Sequence, residues 1–240
     1  MISTGKVSIL TDLGFGKRSL QRRLHAANLD DQKISGIFLT HGHFDHINGV
    51  SALALERKIP VFATRGTLEE LPESLARVEV LRAGRPVTLG DLCVTPFAIS
   101  HDAAEPVGFR FEAEGVRGAL ATDLGQMTPD VSAHFAGCDW LILESNHDEN
   151  LVRLGPYPWL LKQRLLSPVG HLSNHAVAEF LSKGFDAQAQ HIFLAHLSRK
   201  NNTPALARDS AQAALDSRFG SQSSRLHLTD QVKPSIVLSL

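Results

Sequence analysis

Short apolar runs alternate with amphipathic stretches along the whole chain. The apolar runs predict strands at residues 6–11, 34–40, 60–63, 92–100, 107–112, 117–121, 139–144 and 191–195. Apolar positions that recur every three to four residues predict helices at residues 17–27, 47–58, 67–75, 128–135, 158–166, 174–183 and 204–216. No repeat, low-complexity tract or Pro/Gly-rich linker interrupts this alternation. The pattern therefore predicts one mixed α/β domain over residues 1–240.

The composition is typical of a globular enzyme, with 43% apolar and 20% charged residues. The formal net charge of −1 means that any nucleic-acid-binding surface must be local. No run approaches the roughly 18 continuous apolar residues of a membrane span, and residues 1–6 lack the apolar core of a secretory signal. Cys93 and Cys138 adjoin apolar runs, which favours buried thiols over a disulfide. We therefore expect a cytoplasmic protein with no membrane partner.

The most informative segment is residues 41–46, His-Gly-His-Phe-Asp-His, which follows an apolar run at residues 37–39. Imidazole nitrogens and carboxylate oxygens are ligands that divalent metals prefer. His41 and His43 stand two residues apart, so in an extended segment their side chains point to the same side. Asp45 and His46 follow where a helix is predicted to begin, so they can face a second ion. The spacing predicts a two-metal hydrolytic centre.

Three further candidate ligands stand at the ends of apolar runs. His101 follows residues 96–100, Asp123 follows residues 119–122 and His196 follows residues 191–195. Taken alone, Asp123 suits an ordinary turn and His101 an ordinary loop. Taken with residues 41–46, they favour one shared metal site, because functional side chains collect in loops at strand ends.

These residues resemble the metallo-β-lactamase fold, whose signature is an HxHxDH motif followed by a later His, Asp and His. Other segments resemble the WalJ/YycJ/VicX group, which is similar to the nucleic-acid-processing branch that includes tRNase Z. They are Ser-His-Asp-Ala at 100–103, Thr-Asp-Leu-Gly at 122–125, Leu-Glu-Ser-Asn-His-Asp at 143–148, Gly-Pro-Tyr-Pro at 155–158, Gly-His-Leu-Ser-Asn at 170–174 and Ala-His-Leu-Ser at 195–198. The resemblance covers nearly the whole chain. It implies a four-layer αβ/βα sandwich with two mixed sheets flanked by helices.

The resemblance also implies a metal-ligand set. It assigns His41, His43 and His101 to one ion and Asp45, His46 and His196 to a second, with Asp123 bridging the two. A set without cysteine fits two divalent ions, Mn²⁺ or Zn²⁺. Manganese is favoured because the group resembles manganese-dependent 5′→3′ exonucleases that act on single-stranded DNA. A hydroxide held between the ions and oriented by Asp45 would attack the phosphodiester bond.

Two further roles follow from the same resemblance. Glu144 and His171 occupy positions similar to the Glu–His pair that serves the leaving oxygen in the tRNase Z-like branch. A histidine beside a carboxylate stays partly protonated near pH 7, which suits a general acid. A helix-entry role is the alternative for His171. His147 and Asp148 are candidates for fixing the tautomer of a ligand.

Neutral donors for a substrate phosphate form a third group, and they stand at or near a predicted helix start. Capping and turn roles are the competing interpretation for them. The residues are Ser173, Asn174, Asn201 and Asn202.

The chain departs from the group at its N-terminus. Members usually begin with a strand and an SGSSGN-like loop ahead of the segment that matches residues 3–6. This chain begins after the position of that loop, so either the start codon is assigned late or this member lacks the family's first strand. Such an absence would expose a sheet edge.

The leading hypothesis is a metal-dependent phosphodiesterase, specifically a 5′→3′ exonuclease on single-stranded DNA connected with DNA repair. A thioester or lactone hydrolase of the glyoxalase II kind shares the ligand set and is the alternative. Its thiolate leaving group needs little of the protonation that Glu144 and His171 would supply. A non-catalytic regulatory metal-binding protein is a third hypothesis, and the intact ligand set argues against it.

Overall fold

The computed structural model describes residues 1–30, 32–72, 74–75, 77–220 and 225–240. Contacts divide the chain into two compact units. Unit 1 comprises residues 1–98, 103–115 and 236–240, and unit 2 comprises residues 99–102 and 116–235. A single domain over residues 1–240 stays a prediction.

Unit 1 contains a five-stranded sheet, an antiparallel ladder and short helices. In chain order its described elements are β1 (Ile2–Ser3), β2 (Ser8–Thr11), α1 (Lys17–Ala26), β3 (Ile34–Phe38), α2 (Phe44–Ile47), α3 (Val50–Arg57), β4 (Val61–Thr64), α4 (Arg65–Glu69), β5 (Val78–Leu81), β6 (Val87–Leu89), β7 (Leu92–Ala98) and β8 (Val107–Ala113). The sheet order is β1-β2-β3-β4-β5, with β1 antiparallel to β2 and the other neighbours parallel. Strands β6, β7 and β8 pair antiparallel in that order.

The core of unit 1 lies against the parallel strands. Ile37 and Val61 are cross-strand partners, and both are completely buried. Leu20 and Leu24 of α1 and Leu53 of α3 join the same apolar cluster. Strands that are buried on both faces are continuous apolar runs, and for this reason the strands of this sheet could be predicted from the sequence.

Unit 2 contains a parallel ladder with helices. In chain order its described elements are β9 (Val116–Ala121), α5 (Pro129–Phe135), β10 (Trp140–Glu144), α6 (Glu149–Leu154), α7 (Trp159–Leu165), α8 (Asn174–Glu179), a π-helical turn (Phe180–Gly184), β11 (His191–Ala195), α9 (Pro204–Phe219) and β12 (Leu226–Leu228). The ladder order is β9-β10-β11-β12. Leu143 of β10 pairs with Ala121 on one side and Leu194 on the other, and all three are buried.

Each predicted strand is present with ends that differ by two residues at most, and β11 has the predicted bounds. The strands that the sequence did not predict have two to four residues: β1, β5, β6 and β12. Such segments are too short to develop a periodic pattern. Strand β1 pairs with β2 and forms one edge of the five-stranded sheet.

The helix predicted at residues 47–58 is present as α3, Val50–Arg57, but it starts later than predicted, because a separate short helix, α2, ends before Gly49. A Cβ atom on Gly49 would lie 2.2 Å from the carbonyl oxygen of Phe15. Gly49 also donates its backbone N–H to the carbonyl of Leu13 at 2.8 Å. This close backbone contact lies at the break between α2 and α3.

The other predicted helices differ in extent. The helix predicted at 67–75 is Arg65–Glu69, and residue 73 of the prediction lies outside the described residues. The helix predicted at 174–183 divides into α8 and the π-helical turn, and α9 extends three residues beyond its prediction. Helix α6 was not predicted. None of the described helices is long and apolar enough to cross a membrane.

Both cysteines are free thiols, as predicted. Cys138 is buried, whereas the prediction of burial is wrong for Cys93, which is half-buried. Burial alternates along β7, with Leu92 and Val94 buried on the opposite face from Cys93.

Candidate metal centre

In unit 1 the candidate ligands stand at one edge of the sheet. Strands β2 and β3 are parallel neighbours, so their carboxyl ends lead to the same edge. Asp12 follows β2, and His41 follows β3 before the chain turns into α2. The ring of His41 lies 4.6 Å from that of His43 and 4.2 Å from that of His46, measured between centroids. His41 and His46 are buried, whereas Asp45 is exposed.

Asp12 orients this group and was missed by the sequence interpretation. Its carboxylate accepts hydrogen bonds from the backbone N–H and the hydroxyl of Thr40, both at 2.8 Å, and from Nδ1 of His46 at 2.8 Å. The Thr40 hydroxyl in turn lies 2.9 Å from Nδ1 of His41. Asp12 has a φ of 56°, in the left-handed region. Asp123 was predicted because it is an aspartate that directly follows an apolar strand. The same criterion applies to Asp12 and would have identified it.

The loop after β2 supports the motif through its backbone. Leu13 donates its N–H to the carbonyl of His46 at 2.7 Å. The next residue, Gly14, approaches so closely that a Cβ atom would lie 1.4 Å from the carbonyl oxygen of Asp45. Only glycine fits at this position without displacing the motif.

We therefore expect Gly14→Ala to move the backbone of Asp45. The free energy of unfolding should fall by about 1–3 kcal/mol, the usual effect of overpacking, and Mn²⁺ or Zn²⁺ should bind more weakly. Urea denaturation and calorimetric metal titration measure the two effects. Gly16→Ala is the matched control, because a Cβ atom there meets nothing within 4 Å. Equal urea midpoints for the two variants would contradict the prediction.

In unit 2 the candidate residues also stand at the carboxyl ends of parallel strands. Asp123 follows β9, Glu144 ends β10 and His196 follows β11. Together with His171 they offer ligand atoms that all lie within 4.8 Å of one another. Oδ1 of Asp123 lies 3.4 Å from Nδ1 of His196 and 3.8 Å from Nε2 of His101. Asp123 and His196 have φ angles of 56° and 57°, again in the left-handed region.

Glu144 is the central acceptor of this cluster and is completely buried. Its Oε2 accepts the backbone N–H groups of Leu124 and Leu172, both at 2.9 Å. Its Oε1 lies 3.0 Å from Nδ1 of His171 and 2.7 Å from Nδ1 of His196. Burial alone would raise the pKa of Glu144, but the hydrogen bonds from the two histidines lower it well below its usual range. Glu144 is therefore ionised.

The protonation of the neighbouring histidines follows from their surroundings. Burial opposes protonation of His171, yet the hydrogen bond and charge of Glu144 outweigh it and raise the pKa. Burial lowers the pKa of His101, whose Nδ1 donates to the carbonyl of Gly170 at 3.1 Å. His101 is therefore a neutral imidazole, which is the form that coordinates a metal.

Four of the predicted ligand histidines share one pattern, which is a hydrogen bond from Nδ1 to a group of the protein. The acceptors are Thr40 for His41, Asp12 for His46, Gly170 for His101 and Glu144 for His196. Such a bond fixes the tautomer with Nε2 as the metal-binding atom, and it is the usual second interaction of a metal-binding histidine. The residues of each unit therefore fit divalent metal ions.

The four predicted substrate donors are all buried. Ser173 caps α8 through the N–H of Ala176 at 3.2 Å, which confirms the competing interpretation for that residue. Asn174 donates to Oδ1 of Asn202 at 2.9 Å, and Asn202 donates to the carbonyl of Ser145 at 2.8 Å. Asn201 accepts the N–H of Asp148 through its carbonyl at 2.8 Å. A substrate role for the four stays a prediction.

The predicted role of His147 in fixing a tautomer is wrong. The residue is 1% exposed, and neither ring nitrogen has a hydrogen-bond partner among the described residues. Asp148 instead caps α6 by accepting the N–H of Leu151 at 3.0 Å.

The fold and the histidine–carboxylate clusters define a metal-dependent hydrolase. The chain matches the model of the Beta-lactamase superfamily domain over residues 8–196 and belongs to that family. It is 34% identical to "Exodeoxyribonuclease YycJ" of Bacillus anthracis, over 98% of this chain and 91% of that protein. The predicted metallo-β-lactamase fold, with two mixed sheets flanked by helices, is confirmed.

Two solved structures support the fold. The metallo-β-lactamase fold protein YhfI from Bacillus subtilis superposes with a TM-score of 0.73 and 16% identity, over 99% of this chain and 89% of that one. Zn²⁺-bound PqqB from Methylobacterium extorquens superposes with a TM-score of 0.72 and 18% identity, over 98% and 84% of the two chains.

Proposed function

We propose that the protein is a metal-dependent exonuclease that hydrolyses single-stranded DNA from the 5′ end. The observation that carries the proposal is the pair of hydrogen bonds by which one Glu144 oxygen contacts both His171 and His196. That contact joins a candidate proton donor to a candidate metal ligand. The relative YycJ, an exodeoxyribonuclease by name, supports DNA as the substrate.

We propose two divalent ions, Mn²⁺ or Zn²⁺, as the cofactors. One ligand set would be His41, His43 and His101, the other Asp45, His46 and His196, with Asp123 shared. The tautomers fixed by Asp12, Thr40, Gly170 and Glu144 support histidine coordination. When bound, such ions activate water as a nucleophile at neutral pH and offset the charge of a phosphate under attack.

Side chains of the protein would then orient the attacking water and supply the proton to the leaving group. Asp45, which is exposed next to the buried His46, would orient the attacking water. Glu144, ionised and buried, would hold the ring of His171 with Nδ1–H toward itself, which leaves Nε2–H as the proton for the leaving oxygen. An alkoxide leaving group requires that proton, whereas the thiolate of a thioester does not. This difference favours phosphodiester hydrolysis over the glyoxalase II-like alternative.

A cytoplasmic location is part of the proposal. The two free thiols, Cys93 and Cys138, support a reducing compartment.

The test uses short single-stranded DNA and RNA labelled at either end. The protein is freed of metal with a chelator and then given Mn²⁺ or Zn²⁺ separately. We expect metal to restore hydrolysis of DNA, with 5′ label released as a mononucleotide at the earliest times. His43→Ala should abolish the activity, while His25→Ala, at a histidine whose side chain is 81% exposed, should not.

Several outcomes would contradict the proposal. If neither metal restores hydrolysis, the proposed nuclease function is wrong. If the 3′ label is released first, the proposed direction of digestion is wrong, because the enzyme then starts at the 3′ end. Hydrolysis of a thioester under conditions in which DNA is untouched would favour the alternative.

A further inference from the structure

Helix α7, in unit 2, is an apolar helix that lies on the surface of the protein. No residue of α7, all of which the structure describes, is buried. Trp159 and Leu160 at its start are 69% and 78% exposed, and Leu154 at the end of α6 is 86% exposed. Large apolar residues that are exposed together mark an interaction surface. The chemistry proposed above does not use this segment.

The chain around α7 is basic. Residues 150–178 contain no aspartate or glutamate, but they include the basic residues Arg153, Lys162 and Arg164. Residues 187–208 contain no acidic residue either, and Arg199 and Lys200 are exposed there. An anionic partner complements such a surface. A second copy of the chain does not, because a symmetric dimer would place the same cations against each other.

Two contacts hold lysines beside the exposed apolar segment. Nζ of Lys200 lies 5.4 Å from the centroid of the Tyr157 ring, within the range of a cation–π contact. Nζ of Lys162, in α7 itself, donates to the carbonyl of Arg153 at 2.7 Å. Neither lysine forms an ion pair with a carboxylate of the described residues. Both charges can therefore meet an anion from outside the protein.

Helix α7 also leads to the candidate proton donor. His171 donates its backbone N–H to the carbonyl of Leu165, the last residue of α7, at 3.2 Å. A helix of this length spans roughly 10 Å, at about 1.5 Å per residue, so Trp159 lies about that far from Leu165. Stacked nucleotides follow one another at roughly 3.4 Å along a strand. The distance from His171 to Trp159 therefore corresponds to roughly three nucleotides.

We propose that Tyr157 and Trp159 form a stacking platform for the bases of single-stranded DNA, roughly three nucleotides from the cleaved bond. Lys162 and Lys200 contact the phosphates of the same nucleotides. Proteins bind single strands by this combination of aromatic rings and cations, because every base has a face that can stack. The inference rests on the proposed function for the position of the cleaved bond. Binding of the strand to the platform requires neither metal nor catalysis.

Tryptophan fluorescence tests the platform without catalysis. Full-length protein, freed of metal with a chelator, is titrated with single-stranded oligothymidylate. A base stacked on Trp159 should quench its emission, and Trp159→Phe should remove most of the quenching, because the remaining tryptophan, Trp140, is half-buried. By fluorescence anisotropy of labelled oligothymidylate, Trp159→Ala should bind roughly ten-fold more weakly, whereas Trp159→Phe, which keeps a ring, should bind nearly as the wild type. Leu55→Ala, at an exposed leucine of α3, is the control and should not change the affinity.

The salt dependence of binding tests the two lysines. The logarithm of the affinity falls linearly with the logarithm of the salt concentration, with a slope of roughly 0.7 for each phosphate contacted on a single strand. Lys162→Gln and Lys200→Gln should each lower the slope by about that amount. Lys6→Gln, at an exposed lysine of unit 1, should leave it unchanged. A slope that neither variant lowers would exclude the lysines from the platform.

The length dependence of hydrolysis tests the position of the platform. With Mn²⁺ present, KM of the wild type should fall when the substrate is lengthened beyond roughly three nucleotides. Trp159→Ala should lose that fall, with kcat little changed, because Trp159 is remote from the reacting atoms. A KM that falls equally in both proteins would contradict the assigned position.

The remaining outcomes separate the platform from its alternatives. Equal quenching in the wild type and Trp159→Phe, or equal affinity in the wild type and Trp159→Ala, would overturn it. Phosphatidylglycerol vesicles that change the Trp159 emission when oligothymidylate does not would assign the face to lipid instead. A dimer that Trp159→Ala dissociates would assign it to a second copy. If oligothymidylate binds as expected but no metal restores hydrolysis, the proposed function fails and the platform stands.

Discussion

The Glu144→Gln variant is expected to fold and yet to lose about 10³–10⁴-fold in the rate of DNA hydrolysis, the order of effect seen when a buried carboxylate no longer fixes a catalytic histidine. The amide oxygen can take the place of Oε2 and keep the N–H groups of Leu124 and Leu172. The amide NH₂ then occupies the position of Oε1, facing His171 and His196. Because it is a donor, both rings must present an unprotonated Nδ1 and carry their proton on Nε2.

That exchange of tautomer removes two functions at once. His196 would no longer offer an Nε2 lone pair to a metal, and the uncharged amide would no longer raise the pKa of His171. Stability should fall by only about 1–3 kcal/mol, because the side chain keeps its volume and most of its hydrogen bonds. Glu144→Ala should cost more, about 3–5 kcal/mol, since it leaves buried partners uncompensated.

Three measurements check the prediction: urea denaturation, ¹⁵N chemical shifts of the imidazole rings, and kcat/KM on single-stranded DNA. Glu112→Gln is the matched control, because that glutamate is exposed. A glutamine variant with wild-type kinetics, or with unchanged tautomers at both rings, would refute the role of Glu144 given above.

Asp123→Asn is expected to separate activity from stability. The residue is 2% exposed and its carboxylate is the proposed shared ligand. An uncharged amide would weaken the binding of both ions, so hydrolysis should fall by roughly 10³-fold, which corresponds to several kcal/mol of lost charge stabilisation. The metal-free variant should denature at nearly the same temperature as the metal-free wild type.

The melting temperature measured with increasing metal concentration tests this prediction most directly. A ligand that binds only the folded state raises the melting temperature according to its concentration and affinity. The rise that Mn²⁺ or Zn²⁺ produces in the wild type should be largely lost in Asp123→Asn and retained in Asp209→Asn, a change at an exposed aspartate of α9. An equal rise in both variants would exclude Asp123 from metal binding.

Much of the fold and the candidate ligands could be predicted from the sequence because both depend on local signals. The parallel strands are continuous apolar runs, and Asp123, Glu144 and His196 stand where three of them end. What could not be predicted depends on contacts between distant segments. The break at Gly49 arises from a backbone approach to Phe15, more than thirty residues away, which no periodicity reveals.

The same limit applies to the candidate site. The resemblance gave Glu144 and His171 as a pair, but not the second hydrogen bond to His196. Asp12 is a different case, because its strand-end position is visible in the sequence and only its partner, His46, is remote. The π-helical turn at Phe180–Gly184 was not predicted either, because helical spacing alone predicts an ordinary helix there.

The left-handed backbone at Asp12, Asp123 and His196 has a consequence for how mutational scans of this protein are interpreted. Alanine in that conformation costs roughly 1–2 kcal/mol from backbone sterics alone, so an alanine scan would count conformational strain as if it were lost chemistry. Asparagine and glycine tolerate the conformation. At these three positions an asparagine or glycine baseline, not an alanine one, measures what the side chain contributes.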